Sequence, residues 1–429
     1  MNIIRPGRLT LLLAIAAGVI FADAADLPSS EEYRANWPRF RGPDGGGASK
    51  NEVPTACDVK AGTNIAWIVE VPVEGFGSPV VWGDRVFLSG GDEMKREVIC
   101  FDLQSGKLLW RSAVPKTAGS PDENPQVPDQ CGMASVTVAT DGLRVYAMFS
   151  NGDLAAFNFD GTLAWAKFLG TPKNQYGHAT SLLTWQDRVI VQFDQGVADD
   201  KLSKLLAFDG ATGAVAWEKP REVGASWATP IVFDAAGKSQ LVTLAVPWVI
   251  SYSPKDGSEL WRADLLDGEV TPSPIFAGGS LFIVSPSNKL QPIRPDGSGD
   301  VTKTHVGWIA EDGIPDVTSP VSNGELIFTV TSGGMLTCYD AKDGRKQWEH
   351  DFEDECNASP SIAGDKLILI TNKCTLIAVE AAREFKELAR SPLGEKIYAS
   401  PAFAQGRMLV RGVKHLICIG AKSPAPAKP

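Results

Sequence analysis

Residues 205–217 read Leu-Leu-Ala-Phe-Asp-Gly-Ala-Thr-Gly-Ala-Val-Ala-Trp, and this segment shows the pattern from which the fold can be predicted. Its first four residues alternate between two faces of a strand, and both faces are apolar, which is typical of a strand packed between two neighbouring sheets. The glycine at 213 then closes a turn, and the tryptophan at 217 begins the next strand. The same Gly-x-x-x-Trp spacing occurs at Gly106/Trp110, Gly161/Trp165, Gly213/Trp217, Gly257/Trp261 and Gly344/Trp348. Five occurrences at one spacing indicate an internal repeat.

A second phrase places the repeats along the chain: usually a small residue, then Ser or Thr, then in most cases Pro. Its Ser or Thr stands at Ser78, Ser135, Thr180, Thr229, Ser273, Ser319, Ser359 and Ser400, at intervals of 40 to 57 residues. A period in the forties is what a four-stranded propeller blade needs. An apolar strand, a turn such as Gly83-Asp84 and a second apolar strand follow most of these phrases, which is typical of a β-hairpin. We therefore predict an all-β fold, an eight-bladed β-propeller of four-stranded antiparallel blades.

The two ends of the repeat array are predicted to meet. The last repeat stops after its third strand, near Ala421, whereas residues 64–71 form an apolar strand with Trp67 that precedes the first repeat. If this N-terminal strand completes the last blade, the ring is closed and no sheet edge is left exposed. The predicted organisation is a signal peptide (residues 1–24), an N-terminal arm (25–62), the propeller (63–422) and a disordered tail (423–429).

The first 24 residues are typical of an export signal. Arg5 and Arg8 form a charged start, an apolar run covers residues 11–21, and Ala22-Asp23-Ala24 offers a cleavage site after Ala24. The apolar run is shorter than the roughly 20 residues that a membrane-spanning helix needs. We therefore expect a periplasmic or extracellular protein.

Charge and composition limit the partners. The 429 residues include 41 Lys and Arg against 51 Asp and Glu, which gives a formal net charge of −10. No basic stripe occurs, and since binding to a phosphate backbone needs clustered positive charge, we expect no nucleic-acid partner. No later segment resembles a membrane-spanning helix. The expected protein is a monomer without a transmembrane segment in its mature form, and its partner is a small molecule or an envelope protein.

The cysteines and histidines give no sign of a metal or catalytic centre. The sequence has no Cys-x-x-Cys or Cys/His cluster, so no metal site is predicted, and no Ser-His-Asp spacing can be recognised. Cys100, Cys338 and Cys418 fill a slot that other repeats give to Ala, so we interpret them as small buried side chains. Cys356 and Cys374 fall in loops on the same face of one blade. Because export favours oxidation, we predict a disulfide between them.

The position two residues before each Ser or Thr begins the innermost strand, and in a closed ring these positions encircle one mouth of the central channel. The residue type differs from repeat to repeat, whereas the next residue is nearly always small. Two interpretations remain open: bulky groups that plug the mouth, or a binding site in which aromatic faces and a few polar groups receive a planar or sugar-like ligand. The candidate binding residues are Phe76, Met133, His178, Trp227, Asn357 and Tyr398, and Thr271 and Val317 complete the ring.

The phrase Ala207-Phe208-Asp209, with Gly213 and Trp217, resembles the repeat of the PQQ-binding-like β-propeller family. Residues 37–43, Trp-Pro-Arg-Phe-Arg-Gly-Pro, resemble the opening motif of its secreted bacterial members. The resemblance covers residues 37–421 and implies the propeller fold. This family includes quinoprotein alcohol dehydrogenases, which hold pyrroloquinoline quinone (PQQ) and calcium over the propeller axis. It also includes a non-enzymatic lipoprotein of the outer-membrane barrel assembly machine.

Two departures from the family pattern disfavour a dehydrogenase. Those enzymes carry a disulfide between adjacent cysteines against the quinone, and no two cysteines are neighbours here. They are also longer, with inserted segments that carry calcium ligands and a catalytic aspartate, and no such ligand set can be matched to this sequence. PQQ with calcium is therefore a candidate cofactor by resemblance alone. The assembly lipoprotein differs as well, because no cysteine follows the apolar run until Cys57.

We interpret the chain as a secreted, non-catalytic binding or scaffold protein with a ligand or partner site at the channel mouth. Two alternatives stay open at this point: a PQQ-dependent, alcohol dehydrogenase-like oxidoreductase, and a carbohydrate-binding protein. Titration with PQQ and calcium, followed by an assay for dye-linked alcohol oxidation, distinguishes the first alternative from simple binding.

Overall fold

The computed structural model describes residues 26–422, except 93, 123–124, 130 and 286–288. Its strands form eight sheets, each built on three or four consecutive antiparallel strands. Apolar side chains fill the space between successive sheets; one such core joins Val80 and Phe87 of the first sheet to Val138 and Ala147 of the second. The predicted all-β, eight-bladed propeller is confirmed. The predicted signal peptide and the tail at 423–429 lie outside the described residues.

The blades are numbered in chain order, and their strands are given from the channel outward. Blade 1 contains Val80–Trp82, Arg85–Gly91, Arg96–Asp102 and Leu108–Ala113. Blade 2 contains Ala139–Thr140, Arg144–Met148, Asp153–Asn158 and Leu163–Phe168. Blade 3 contains Leu183–Trp185, Arg188–Phe193, Lys204–Asp209 and Val215–Pro220. Blade 4 contains Ile231–Ala235, Lys238–Ala245, Trp248–Tyr252, Glu259–Asp264 and an added parallel strand, Gly299–Asp300.

The second half of the ring follows the same order. Blade 5 contains Ile275–Ala277, Ser280–Ser285 and Lys289–Ile293. Blade 6 contains Val321–Ser322, Leu326–Val330, Met335–Asp340 and Lys346–Asp351. Blade 7 contains Ser361–Ala363, Lys366–Ile370, Thr375–Glu380 and Glu387–Pro392, with Ala48–Ser49 added in parallel on its channel side. Blade 8 contains Ala402–Ala404, Arg407–Arg411, His415–Ile419 and Ile65–Glu70.

Helix is limited to two short segments in the described part of the chain, Ser30–Ala35 and the 3-10 turn Ala198–Asp200. Ser29 caps the first, because its hydroxyl accepts a hydrogen bond from the backbone N–H of Glu32 at 3.1 Å. Neither segment is long and apolar enough to cross a membrane.

The N-terminal strand closes the ring as predicted. Ile65–Glu70 pairs antiparallel with His415–Ile419, with Glu70 opposite His415 and Ile68 opposite Ile417. This pairing covers the outer edge of blade 8, which would otherwise present a row of free backbone donors and acceptors.

The repeated tryptophan links each blade to the next. In six blades its indole N–H donates to a backbone carbonyl in the turn before the outer strand of the following blade, at 2.9 to 3.2 Å. The repeated glycine lies against the same ring: a Cβ on Gly213 would stand 2.6 Å from Trp165, and the φ of Gly213 is +70°. The Gly-x-x-x-Trp phrase therefore joins two interfaces, because its glycine receives the preceding blade's tryptophan and its own tryptophan reaches forward.

Blade 5 is the irregular member. Its outer strand is replaced by two isolated bridges, which join Leu290 to Ala310 and Ile293 to Val306. Trp308 lies in this replacement segment and still donates to the carbonyl of Ala341, at 3.2 Å. The sequence pattern missed Trp308 because residue 304, four positions earlier, is threonine rather than glycine.

The repeated Ser or Thr forms a ring of hydrogen bonds around the channel. The backbone N–H of each member donates to the hydroxyl of the next blade's member, at 2.9 to 3.2 Å, in seven of the eight steps. This hydroxyl ring runs through Ser78, Thr137, Ser181, Thr229, Ser273, Ser319, Ser359 and Ser400. In blades 2 and 3 the sequence had indicated Ser135 and Thr180 instead. Neither phrase is followed by proline there, and the true register is set by pairing with the neighbouring blades.

The predicted disulfide is not formed in the structure, which has all seven cysteines as free thiols. Cys356 and Cys374 do lie in adjoining loops, since the N–H of Asn372 donates to the carbonyl of Glu355 at 2.7 Å. Each sulfur, however, lies on a carbonyl of its own loop: Cys356 Sγ on Asp354 at 3.8 Å and Cys374 Sγ on Asn372 at 3.6 Å. The thiols are turned towards their own backbones rather than towards each other. Burial raises the pKa of the Cys356 thiol to about 12.

Candidate functional site

The N-terminal arm fills the central channel. Trp37 forms a backbone bridge with Val81 of blade 1, and the carbonyl of Pro38 accepts a hydrogen bond from the N–H of Thr140 of blade 2 at 2.8 Å. Further along, the arm pairs with the innermost strand of blade 7 through Ala48–Ser49. The first two contacts lie at the far ends of the innermost strands, so the arm enters from the face opposite to the predicted mouth.

Arg41 anchors the arm inside the channel. Its guanidinium is 1% exposed and donates only to backbone carbonyls, two of them within the arm and three on blades 6 and 7. The channel partners are the carbonyls of Ser319, Pro320 and Pro360. Burial lowers the pKa of Arg41 to about 9, although the nearby carboxylate of Asp44 opposes the shift. The proline of the repeated Ser-Pro phrase thus has a function here, because its carbonyl faces the channel and receives the arm.

Arg39 is buried on the other side of the arm. It donates to the carbonyl of Pro230 of blade 4 at 3.0 Å, and its Nη2 has no hydrogen-bond partner among the described residues. Phe40 lies between the two arginines in the chain and, unlike them, is only partly buried. Its side chain reaches the mouth and forms the floor of a cup.

The cup has a volume of about 150 Å³, and none of the described residues that line it carries a carboxylate, imidazole, amine, guanidinium or thiol. Three layers make it up: the floor, Phe40; the wall, which is the hydroxyl ring; and a rim at the start of the innermost strands. The rim consists of Phe76, Ser135, Ala179, Trp227, Thr271, Val317, Asn357 and Tyr398.

Four of the six predicted binding residues lie together at this rim: Phe76, Trp227, Asn357 and Tyr398. The rings of Phe76 and Tyr398 meet edge to face, with centroids 5.5 Å apart. On the other side, Trp227 is held by its neighbours, since its indole N–H donates to Asn174 Oδ1 at 3.2 Å. The aromatic rim is therefore fixed in position while each ring keeps part of its surface open.

Met133 and His178, the other two predicted residues, do not line the cup. The ring members of blades 2 and 3 are Thr137 and Ser181, so the positions two residues earlier are Ser135 and Ala179. Met133 is buried at 6% exposure, and its carbonyl accepts a hydrogen bond from Ser150 N–H at 3.1 Å. The error has one cause, the register shift in these two blades. Phe40 was missed for a different reason: the arm motif was recognised in the sequence, but its position in the channel was not.

His178 is buried between blades 2 and 3, where its backbone N–H donates to the carbonyl of Ser150 at 3.0 Å. Its ring stacks on Phe193 with centroids 5.6 Å apart, and its Nε2 has no partner among the described residues. Burial lowers the pKa of His178 from 6.5 to about 4, because a charged imidazolium has no counter-charge there.

We expect His178 to make the protein acid-sensitive. Between pH 6.5 and pH 4 the unfolded chain binds a proton at this position that the folded chain does not, so stability present above pH 6.5 is lost as the pH falls through that interval. The shift corresponds to about 3 kcal/mol. As the pH falls from 6.5 to 4, the free energy of unfolding of His178→Phe should therefore decrease less than that of the wild type, by about 3 kcal/mol, as measured by urea denaturation. Equal pH dependence of the two proteins would contradict this assignment.

The residues at the cup do not fit PQQ with calcium. PQQ is a rigid tricyclic quinone with three carboxylates, so its site needs space and positive charge. The cup's 150 Å³ is below the roughly 300–1,000 Å³ of a typical ligand pocket, and its described lining residues include no Lys, Arg or His. Among the described residues, no group of three His, Cys, Asp or Glu side chains is placed to hold a metal ion.

Comparison with known proteins places the fold among two groups of propellers. A family model described as outer membrane protein assembly factor BamB matches residues 49–226, 203–300 and 300–384. The crystal structure of BamB from Moraxella catarrhalis superposes with a TM-score of 0.63 at 12% identity, covering 85% of this chain and 99% of that one. Quinohemoprotein alcohol dehydrogenase from Comamonas testosteroni superposes with a TM-score of 0.68 at 15% identity, covering 93% of this chain and 83% of that one. At these identities the structural likeness shows the fold alone, and the sequence has no match among curated proteins.

Proposed function

We propose a function for this chain as a member of the PQQ-binding-like β-propeller family, whose model is described as outer membrane protein assembly factor BamB. It is an exported, non-catalytic protein that binds a ligand or a partner segment in the cup. The composition of the cup carries this proposal. General acid–base catalysis needs a titratable side chain near the reacting group, and covalent catalysis needs an activated nucleophile. The lining has aromatic faces, hydroxyls and one amide, which can bind and orient but lack a partner base.

The likeness to BamB supports a partner in the cell envelope. That protein's family is described as an outer-membrane assembly factor, and the chain's predicted export signal would bring it to the same side of the membrane. The dehydrogenase alternative receives less support, because the cup does not fit PQQ with calcium. A carbohydrate remains a competing ligand, since aromatic faces and hydroxyls also suit sugars.

The test uses the purified full-length mature protein and a fixed panel: PQQ with calcium, maltose, cellobiose, acetate, sulfate and inorganic phosphate. We expect no dye-linked alcohol oxidation with PQQ and calcium. We also expect Trp227→Ala and Tyr398→Ala to weaken, by about tenfold or more, whatever binding the wild type shows in calorimetry, because each removes an aromatic contact surface at the rim. Thermal stability should change little, because both side chains are only partly buried.

Trp185→Ala is the matched control. Trp185 is also partly buried, but it ends the innermost strand of blade 3, at the opposite face of the ring. It should leave panel binding unchanged. If no panel member binds, the small-ligand form of the proposal is wrong. If binding survives both rim substitutions, the rim is a structural plug and the whole proposal is wrong. Dye-linked alcohol oxidation that is lost in Trp227→Ala would instead establish an enzyme.

A further inference from the structure

We propose that the cup binds an oxyanion, the carboxylate, phosphate or sulfate group of a small ligand, through the hydroxyl ring. This inference rests on the proposed function and names the chemistry of its ligand. Three independent features carry it: the direction in which the hydroxyls can donate, the buried positive charge next to the floor, and the size and neutrality of the lining.

The hydroxyl ring offers donors rather than acceptors. Seven of its hydroxyl oxygens already accept a backbone N–H from the preceding blade. Among the described residues, none of these seven donates a hydrogen bond in return, and all of them line the cup. A buried hydroxyl proton needs an acceptor. A group at the centre of the ring therefore meets several O–H donors at once, and the group that accepts from many directions and donates in none is an oxyanion.

Positive charge lies next to the floor. The two neighbours of Phe40 in the chain are Arg39 and Arg41, and each is at most 2% exposed. Their hydrogen bonds go to backbone carbonyls only, and neither forms an ion pair with a described residue. The carboxylate of Asp44 attracts both guanidiniums without forming an ion pair with either. The two guanidiniums together carry more charge than this one carboxylate, and because water is excluded around them they act over a longer range than surface charges do. They favour an anion above the floor.

The lining sets a limit on the ligand. In the part that the structure describes it has no carboxylate to repel an anion, and 150 Å³ holds an oxyanion group with a short attached chain rather than a long polymer. Outside the cup, by contrast, the loops that lead into blades 6 and 7 expose Glu311, Asp312, Asp316, Glu353 and Glu355. Carboxylates on this side of the mouth oppose the approach of a polyanion such as nucleic acid, whose charge extends far beyond one group.

The experiment titrates the full-length mature protein with sodium acetate, sulfate and inorganic phosphate at constant ionic strength, following calorimetric heat. A tetrapeptide with a free C-terminal carboxylate and its amide form a second arm, which separates a protein source of the anion from a small-molecule source. In Ser319→Ala, anion binding should weaken about tenfold or more, because a donor to a charged group is lost. Ser319→Thr keeps the hydroxyl, as Thr137 and Thr229 do at equivalent positions, and should bind as the wild type does.

Ser391→Ala is the control for structural damage. Ser391 is 1% exposed, and its hydroxyl accepts the N–H of Cys57 at 2.9 Å, away from the cup. It loses the same kind of buried hydrogen bond and should bind anions normally. Anion or free-acid peptide binding that is lost in Ser319→Ala and kept in Ser319→Thr supports the proposal. If only a neutral disaccharide binds, in a manner sensitive to Trp227→Ala, the proposed function stands and the oxyanion inference is overturned. Equal anion binding by Ser319→Ala and the wild type also overturns it.

Discussion

Deletion of residues 25–72 should abolish cooperative folding of the whole propeller. The deletion removes the outer strand Ile65–Glu70 and leaves the edge of His415–Ile419 unpaired. It also removes Trp67, which is 9% exposed and bonds to the carbonyl of Leu103, so the contact between the last blade and the first is lost. Finally, the channel loses the arm with its buried Arg41. An open ring exposes two blade faces, and we expect a truncated protein that lacks a thermal unfolding transition in circular dichroism and aggregates in size-exclusion chromatography.

A rearranged chain separates the strand from the arm. Because Ile65–Glu70 runs antiparallel to the strand that ends at Ile419, residues 63–72 can be attached after residue 422 through a short turn. This addition should restore a folded ring to the truncated protein, with lower stability because the channel is still empty. A truncated protein that melts in one transition at the wild-type temperature would show that neither the strand nor the arm is needed.

The parts of the fold that the sequence predicted are those with a local signal. The Gly-x-x-x-Trp phrase is local because its two residues belong to one turn and the strand that follows, and eight blades with ring closure could be derived from it and from the Ser-Pro phrase. Where the local signal is interrupted, prediction failed. Trp308 docks like the other tryptophans but lacks the glycine. Thr137 and Ser181 take the ring positions because neighbouring blades, not adjacent residues, fix their register.

The candidate site was predicted in part for the same reason. Phe76, Trp227, Asn357 and Tyr398 could be placed because each stands at a fixed offset from a local phrase, and the structure brings them to one rim. The floor could not be predicted. An arginine is among the residues least expected in a protein interior, so no sequence pattern indicated that Arg39 and Arg41 lie inside the channel, with Phe40 between them. Their position depends on carbonyls contributed by blades 4, 6 and 7, which are about 200 residues or more away in the chain.

Trp261→Ala should be the most destabilising single substitution at a repeat position. Trp261 is 0% exposed, whereas Trp348, which holds the same position in blade 6, is only partly buried. The difference comes from Gly299–Asp300, which pairs alongside Trp261 as an extra strand and covers it. Loss of a large aromatic side chain from such a core costs about 3–5 kcal/mol. The substitution also removes the indole donor from Gln240 Oε1, at 2.7 Å, although Ser251 still donates to that oxygen at 3.0 Å.

Urea denaturation of Trp261→Ala and Trp348→Ala, compared with the wild type, measures the difference. We expect the midpoint to fall further for Trp261→Ala, with the slope of the transition unchanged, because the surface exposed on unfolding stays nearly the same. Trp348 is only partly buried, and Trp348→Ala gives up one hydrogen bond, to the carbonyl of Ala382 at 3.0 Å. Of these two tryptophans, only Trp348 makes the blade-to-blade hydrogen bond. Equal losses of stability in the two variants would therefore mean that this bond is worth as much as complete burial. The repeat would then be stabilised by its docking bonds rather than by the apolar cores between blades.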